Sequence, residues 1–154
     1  MNTTIDILEK IKYYCAYQER SHKEVRSKLI ELKVYGNDLE NVIIELIEEN
    51  FLNEERFACA LARGKFYFKQ WGRNKIKQAL KQHQVSDYCI KKAMQEVHEE
   101  DYLKTIEKLT SKKMEELKKE RNSFAKMNKL KNYLLQKGYE YDYISEQLKL
   151  NFKN

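Results

Sequence analysis

The strongest constraint on this chain is a repeat of apolar positions. Counted from Leu80, apolar residues stand four before, at Ile76, and five, ten and fourteen after, at Val85, Ile90 and Met94. Counted from Leu134, the same four offsets hold Leu130, Tyr139, Ile144 and Leu148. Counted from Leu29, the first two are Val25 and Val34, and three extra residues around Gly36 are read as displacing the rest to Val42 and Leu46. Such spacings describe a short helix, a turn and a second helix. A helix pair of this size cannot bury its apolar stripe alone, so each copy needs the longer helix that precedes it and its neighbours. The pattern predicts an all-α protein of three tandem three-helix repeats, helix-turn-helix-like, elongated or curved, over residues 1–50, 51–99 and 100–154. No long heptad run remains for a coiled-coil dimer, so a monomer is expected.

Local signals place the helices. Proline is absent and glycine occurs only at positions 36, 64, 72 and 138, which suits long helical stretches. Thr3 or Thr4 caps a first helix with Ile5, Leu8, Ile11 and Cys15 on one face. Ser21 with Glu24 forms a capping-box pattern ahead of Val25, Leu29 and Leu32. Gly36 supplies a break, and Asn37 with Glu40 repeats the cap signature. Asn53 caps a helix whose apolar face is marked by Phe57, Ala60, Leu61 and Phe68 as far as Gln70, and Ser86 caps one carrying Ile90, Ala93, Met94 and Val97. Gly72 and residues 120–123 are the expected places for bending.

Several functions find no support in these residues. No apolar run approaches a membrane span, and MNTTIDILEK lacks the basic start and apolar core of a signal peptide, so a cytoplasmic protein is expected. Cys15, Cys59 and Cys89 are odd in number and lack CxxC spacing, so reduced thiols are expected. His22, His83 and His98 have no metal-ligand spacing, and no phosphate-cradling glycine loop is present. Neither a catalytic constellation nor a cofactor is expected.

Charge is distributed unevenly, and this points to a partner. The chain holds 30 basic and 24 acidic residues for a net charge of +6, and the excess lies beyond residue 50. Between Glu55 and Asp87 no acid occurs, while Arg63, Lys65, Lys69, Arg73, Lys75, Lys77 and Lys81 stand among Phe66, Tyr67, Phe68 and Trp71. A run that excludes one sign and gathers aromatics suits a polyanion surface. Arg73, Lys77 and Lys81 fall four apart and share a helix face, where they can neutralise successive phosphates or simply be solvated. A second acid-free run, from Arg121 to Tyr139, brings Lys126, Lys129, Lys131 and Lys137 to the equivalent place in the third repeat. The aromatics can stack on bases or pack between helices.

These residues also carry a family resemblance. FLNEERFACALARGKFYFKQWGRNKIKQALKQHQVSDYCIKKAM resembles the central motif of the RecX family of recombination regulators through Leu52, Glu54, Arg56, Phe57, Ala58, Gly72, Ile76 and Leu80. YCAYQERSHKEVRSKLIEL is similar to that family's first repeat, and KLKNYLLQKGYEYDYISEQL to its third. Glu54 replaces the usual aspartate, Arg73 follows Gly72 where proline is common, and Lys137 replaces an arginine before Gly138. The resemblance implies a non-enzymatic protein that binds the RecA recombinase filament on single- or double-stranded DNA. It further implies inhibition of ATPase and strand exchange, with effects on recombination, repair and the SOS response. The alternative is a helix-turn-helix-like DNA-binding protein that acts without a recombinase.

Overall fold

The structure is a computed structural model that describes residues 4–152, so Thr3 and the side chain of Thr4, the expected first cap, lie outside the described residues. Nine helices and no strand occur among them. They are α1 (Thr4–Tyr17), α2 (His22–Glu31), α3 (Gly36–Glu48), α4 (Glu54–Tyr67), α5 (Arg73–Gln82), α6 (Asp87–Met94), α7 (Glu99–Glu116), α8 (Ser123–Lys137) and α9 (Tyr141–Asn151).

The apolar repeat is also a repeat of backbone hydrogen bonds. Four residues after Leu29, Leu80 and Leu134, the chain turns left-handed at Lys33 (φ 66°), Gln84 (φ 60°) and Gly138 (φ 99°). One residue later the N–H of Val34, Val85 or Tyr139 donates to the carbonyl of Leu29, Leu80 or Leu134, at 2.9, 3.1 and 3.1 Å. This is the six-to-one bond that closes a helix end. The next helix then begins at Gly36, Asp87 or Tyr141, always seven residues after the reference leucine.

The expected three-residue insertion in the first copy is therefore absent. Leu39 and Ile43 occupy offsets ten and fourteen and are buried, as are Val42 and Leu46 on the same helix. The break is made at Lys33, and α3 starts directly at Gly36, whose φ of 58° suits glycine. Asn37 consequently lies inside the first turn rather than capping it. Tyr35 precedes α3 with no side-chain cap, and the Glu40 carboxylate instead accepts from the two terminal guanidinium nitrogens of Arg26.

The contacts group the chain into two compact units, each with its own core. One comprises the described residues up to Leu61 together with Leu80–Ala93, and the other Ala62–Ala79 with Met94 onward, so residues 51–99 contribute to both. In the first unit Ile11, Cys15, Val25, Leu29, Val34, Leu39, Val42, Ile43, Leu46 and Leu52 form one buried cluster. Ile5, expected inward, is 70% exposed, because the inward face of α1 runs through Ile7, Leu8, Ile11 and Cys15. Burial pushes the Cys15 thiol up to about 11, which keeps it protonated and unreactive.

In the second unit Phe66, Ile76, Tyr102, Ile106, Leu109, Leu130, Leu134, Tyr139 and Ile144 are buried. Their centre is aromatic. The Tyr102 ring stands 5.7 Å from Phe66, 5.1 Å from Tyr139 and, edge to face, 5.0 Å from Tyr143.

Candidate polyanion interface

The turn that joins α4 to α5 carries much of the acid-free run, and it is held from the turn after α8. After Tyr67 the chain goes left-handed at Gln70 (φ 59°), and the Trp71 N–H closes the helix end on the Lys65 carbonyl at 3.0 Å. Four hydrogen bonds then pin residues 69–74. The Gly72 N–H donates to the Lys137 carbonyl at 2.7 Å and the Asn74 N–H to the Gly138 carbonyl at 2.9 Å. The Lys137 ammonium donates to the Lys69 carbonyl at 3.1 Å and the Tyr139 hydroxyl to the Gln70 carbonyl at 2.9 Å.

Glycine is required on both sides of this seam. A Cβ at Gly72 would lie 2.3 Å from the carbonyl carbon of Gly138 and 2.4 Å from the Tyr139 nitrogen. One at Gly138 would lie 2.3 Å from the Lys75 Cβ. Gly72 is thus a clamped docking point rather than the expected place for bending.

The seam gathers lysines that the sequence holds far apart. Lys65 and Lys75 place their ammonium groups over Trp71, 4.7 and 4.4 Å from the ring centroid. Lys137 is pushed below the ordinary lysine value by burial and then by the charges of Lys75, Lys112 and Lys69. A lysine shifted downward by other lysines marks a concentration of positive charge that a bound anion would relieve. Among the described residues none of Lys65, Lys69, Lys75, Lys112 and Lys137 has a carboxylate at ion-pair distance.

The other cations of the acid-free runs divide by partner. Arg63 pairs with Glu96 and Lys129 with Glu120. Lys131 sits 5.9 Å from the Tyr141 ring centroid, and Lys126 is half-buried. Lys77 is half-buried and Lys81 exposed, and among the described residues neither has a carboxylate at ion-pair distance.

Arg73 differs from the two residues that share its spacing. Its guanidinium donates to Glu99 at 2.8 Å and to Glu140 and Tyr143 at 3.2 Å, while its plane lies 3.8 Å from the Tyr102 centroid. Its backbone N–H donates to the Tyr102 hydroxyl at 2.9 Å, and that hydroxyl donates to Glu140. Burial opposes its charge, but the bonds to Glu99, Tyr143 and Glu140 outweigh this and raise its pKa. With its side chain 15% exposed, Arg73 is a pin for the start of α5, and the three-residue stripe reduces to Lys77 and Lys81.

Sequence reasoning missed Lys112, hidden in the mixed charge of α7, and the group formed by Glu99, Tyr102, Glu140 and Tyr143. Basic neighbours flank three of the four glycines, Gly64, Gly72 and Gly138, so the sequence held no signal that singled out the Gly72–Gly138 pair.

Among the described residues no helix is long and apolar enough to cross a membrane, and no cluster of His, Cys, Asp or Glu is arranged to hold a metal. A family model described as RecX, second three-helix domain, matches residues 53–94, and one described as RecX, third three-helix domain, matches residues 99–148. Regulatory protein RecX of Clostridium perfringens strain 13 is 36% identical over 124 residues, covering 80% of this chain and 58% of its own length. Its counterpart in Clostridium botulinum strain Eklund 17B is 34% identical over 138 residues, covering 87% and 64%. The chain thus spans more than half, but less than two thirds, of the length of these relatives. A crystal structure of RecX from Lactobacillus salivarius superposes with a TM-score of 0.85 at 24% identity, covering 96% of this chain and 95% of that one, which is a likeness of fold. From the two consecutive domain matches and these relatives, the chain belongs to the RecX family of regulatory proteins.

Proposed function

We propose that this protein regulates a RecA recombinase without being an enzyme itself, by lying along the nucleoprotein filament and slowing its ATP turnover and strand exchange. The family supports the partner, and the lysines gathered at the seam between residues 69–74 and 137–139 support an approach to phosphates. That seam is the observation that carries the reading. It concentrates positive charge on a turn held by four hydrogen bonds, so little order is lost on binding. Residues 1–50, 51–99 and 100–154 act in this reading as three consecutive three-helix modules of a monomer that spans several recombinase subunits.

The decisive measurement is ATP turnover by the cognate recombinase on single-stranded DNA with this protein added. Turnover should fall with increasing protein, and Lys75→Gln with Lys137→Gln should blunt the fall while leaving helix content unchanged. Turnover that ignores the protein at saturating concentration overturns the reading.

A second reading is direct binding to duplex DNA with no recombinase, and it is favoured by Lys77 and Lys81 on α5, which meet no carboxylate among the described residues. If they contact phosphates, replacing both by glutamine should flatten the log affinity against log salt by about 0.9 per contact on duplex. An unchanged slope returns these two lysines to a solvated face.

A further inference from the structure

Phe68 is the aromatic on the α4–α5 turn that the fold leaves unused. It is 86% exposed, whereas Phe66 is 1% exposed in the core. Tyr67 is committed, its ring edge-on to Phe66 at 4.7 Å and its hydroxyl donating to Asp101 at 2.7 Å. Trp71 is already covered by the ammonium groups of Lys65 and Lys75. Phe68 stands next to Lys69 in a turn whose carbonyls at Lys69 and Gln70 are both held from the α8–α9 turn. An exposed phenyl ring on a pinned backbone costs hydration and contributes nothing to the core.

We infer that this turn binds a single-stranded nucleic acid, with phosphates at Lys65, Lys69, Lys75 and Lys137 and one base stacked on Phe68. The inference rests on reading the lysine cluster as a phosphate surface and adds what the phosphates belong to. In a duplex the bases stack on one another and offer no free face, so an aromatic beside a cationic track is useful only to an unstacked strand. Sequence tolerance is expected, because every base has a π face and stacking reads no base edge. Phe68, expected on the apolar face of α4, points to solvent instead, while Phe66 lies in the core, Tyr67 is hydrogen-bonded and Trp71 is covered by cations.

The test uses the protein alone, without recombinase, against labelled oligothymidylate, a duplex of equal length and inorganic polyphosphate, each at several salt concentrations. Trp71 is the single tryptophan, so its emission reports occupancy of the turn. Phe68→Ala should weaken oligothymidylate binding about tenfold while leaving duplex affinity, polyphosphate affinity and salt slope unchanged. Phe68→Tyr should restore it. Lys75→Gln should weaken binding to all three probes and lower the single-strand salt slope by about 0.7. Unchanged oligothymidylate affinity in Phe68→Ala, with Lys75→Gln still weakened, overturns stacking but keeps the phosphate surface. Lysine variants that bind all three probes like the parent overturn both, and Phe68 then belongs to a protein contact.

Discussion

The short helices of the first and second repeats start at equivalent positions and satisfy their open backbone donors in opposite ways. Eight residues before Leu29 stands Ser21, whose hydroxyl accepts from the Glu24 N–H at 3.0 Å while the Glu24 carboxylate accepts from the Ser21 N–H at 2.9 Å. Eight residues before Leu80 stands Gly72, where the donors of α5 are met from outside, by the Tyr102 hydroxyl at Arg73 and the Gly138 carbonyl at Asn74. A side-chain cap is local and needs two residues three apart. A cap supplied by another backbone needs the absence of a side chain, and it ties two repeats' turns into one seam. Replacing one kind by the other is therefore not neutral: α2 gains a self-contained start, and α5 gains a start that also assembles the lysine cluster.

The largest effect is expected at the support of the first start. Phe57 is 5% exposed and packs at 5.0 Å against His83, whose Nδ1 lies 3.1 Å from the Ser21 hydroxyl. Phe57→Ala should cost about 3–5 kcal/mol by leaving a cavity, read as a fall in the denaturant midpoint. A midpoint equal to the parent's would show that this region collapses around the loss, and that the first start does not depend on Phe57.

Next comes the second start itself. Gly72→Ala places a methyl group 2.3 Å from the Gly138 backbone, where no flexible side chain can yield. A loss of about 3 kcal/mol is expected, with a change in Trp71 emission as the seam opens. The same substitution at an ordinary N-cap would cost far less, so a small loss would erase the contrast drawn between the two starts.

Arg73→Met should cost about 2 kcal/mol, since it leaves the half-buried Glu140 carboxylate and the Tyr143 hydroxyl without their cation. It should also alter the acid dependence of stability. The Tyr143 hydroxyl and then Arg73 hold the Glu99 carboxyl below its ordinary value. A depressed carboxyl contributes stability above its unfolded pKa, and the contribution is lost as pH falls through the folded one. Urea midpoints measured from neutral to acid pH should therefore fall less steeply in Arg73→Met. Parallel pH profiles would mean that Glu99, more than half exposed, is screened by solvent.

The smallest effect belongs to Ser21→Ala, at about 1 kcal/mol, because it removes one cap acceptor and the contact with His83 but leaves the backbone path intact. Ser21→Gly should recover part of the loss. A loss as large as that of Gly72→Ala would make the first start as dependent on tertiary contacts as the second.

Local signals along the chain specify the helices, the turns and most of the core. Apolar periodicity and capping residues act within a few residues of one another, so Ser21 with Glu24, Asn53 accepting from the Arg56 N–H, and the offsets around Leu80 and Leu134 were legible as written. The sequence also carried the family, because the motif residues around Gly72 stand close together in the chain. The insertion assigned near Gly36 failed for a related local reason: both Leu39 with Ile43 and Val42 with Leu46 fit a helical face, and only the left-handed turn at Lys33 shows where α3 begins. The use of each charge is set only by packing. Arg73, Lys77 and Lys81 are indistinguishable by spacing, but Arg73 meets Glu99, Glu140 and Tyr143 from α7, the α8–α9 turn and α9. Lys137 meets Lys69, Lys75 and Lys112 across a seam of two glycines. Electrostatic interactions act through space over several ångströms, whatever the separation along the chain. A cation's partner is therefore settled only when the chain has folded.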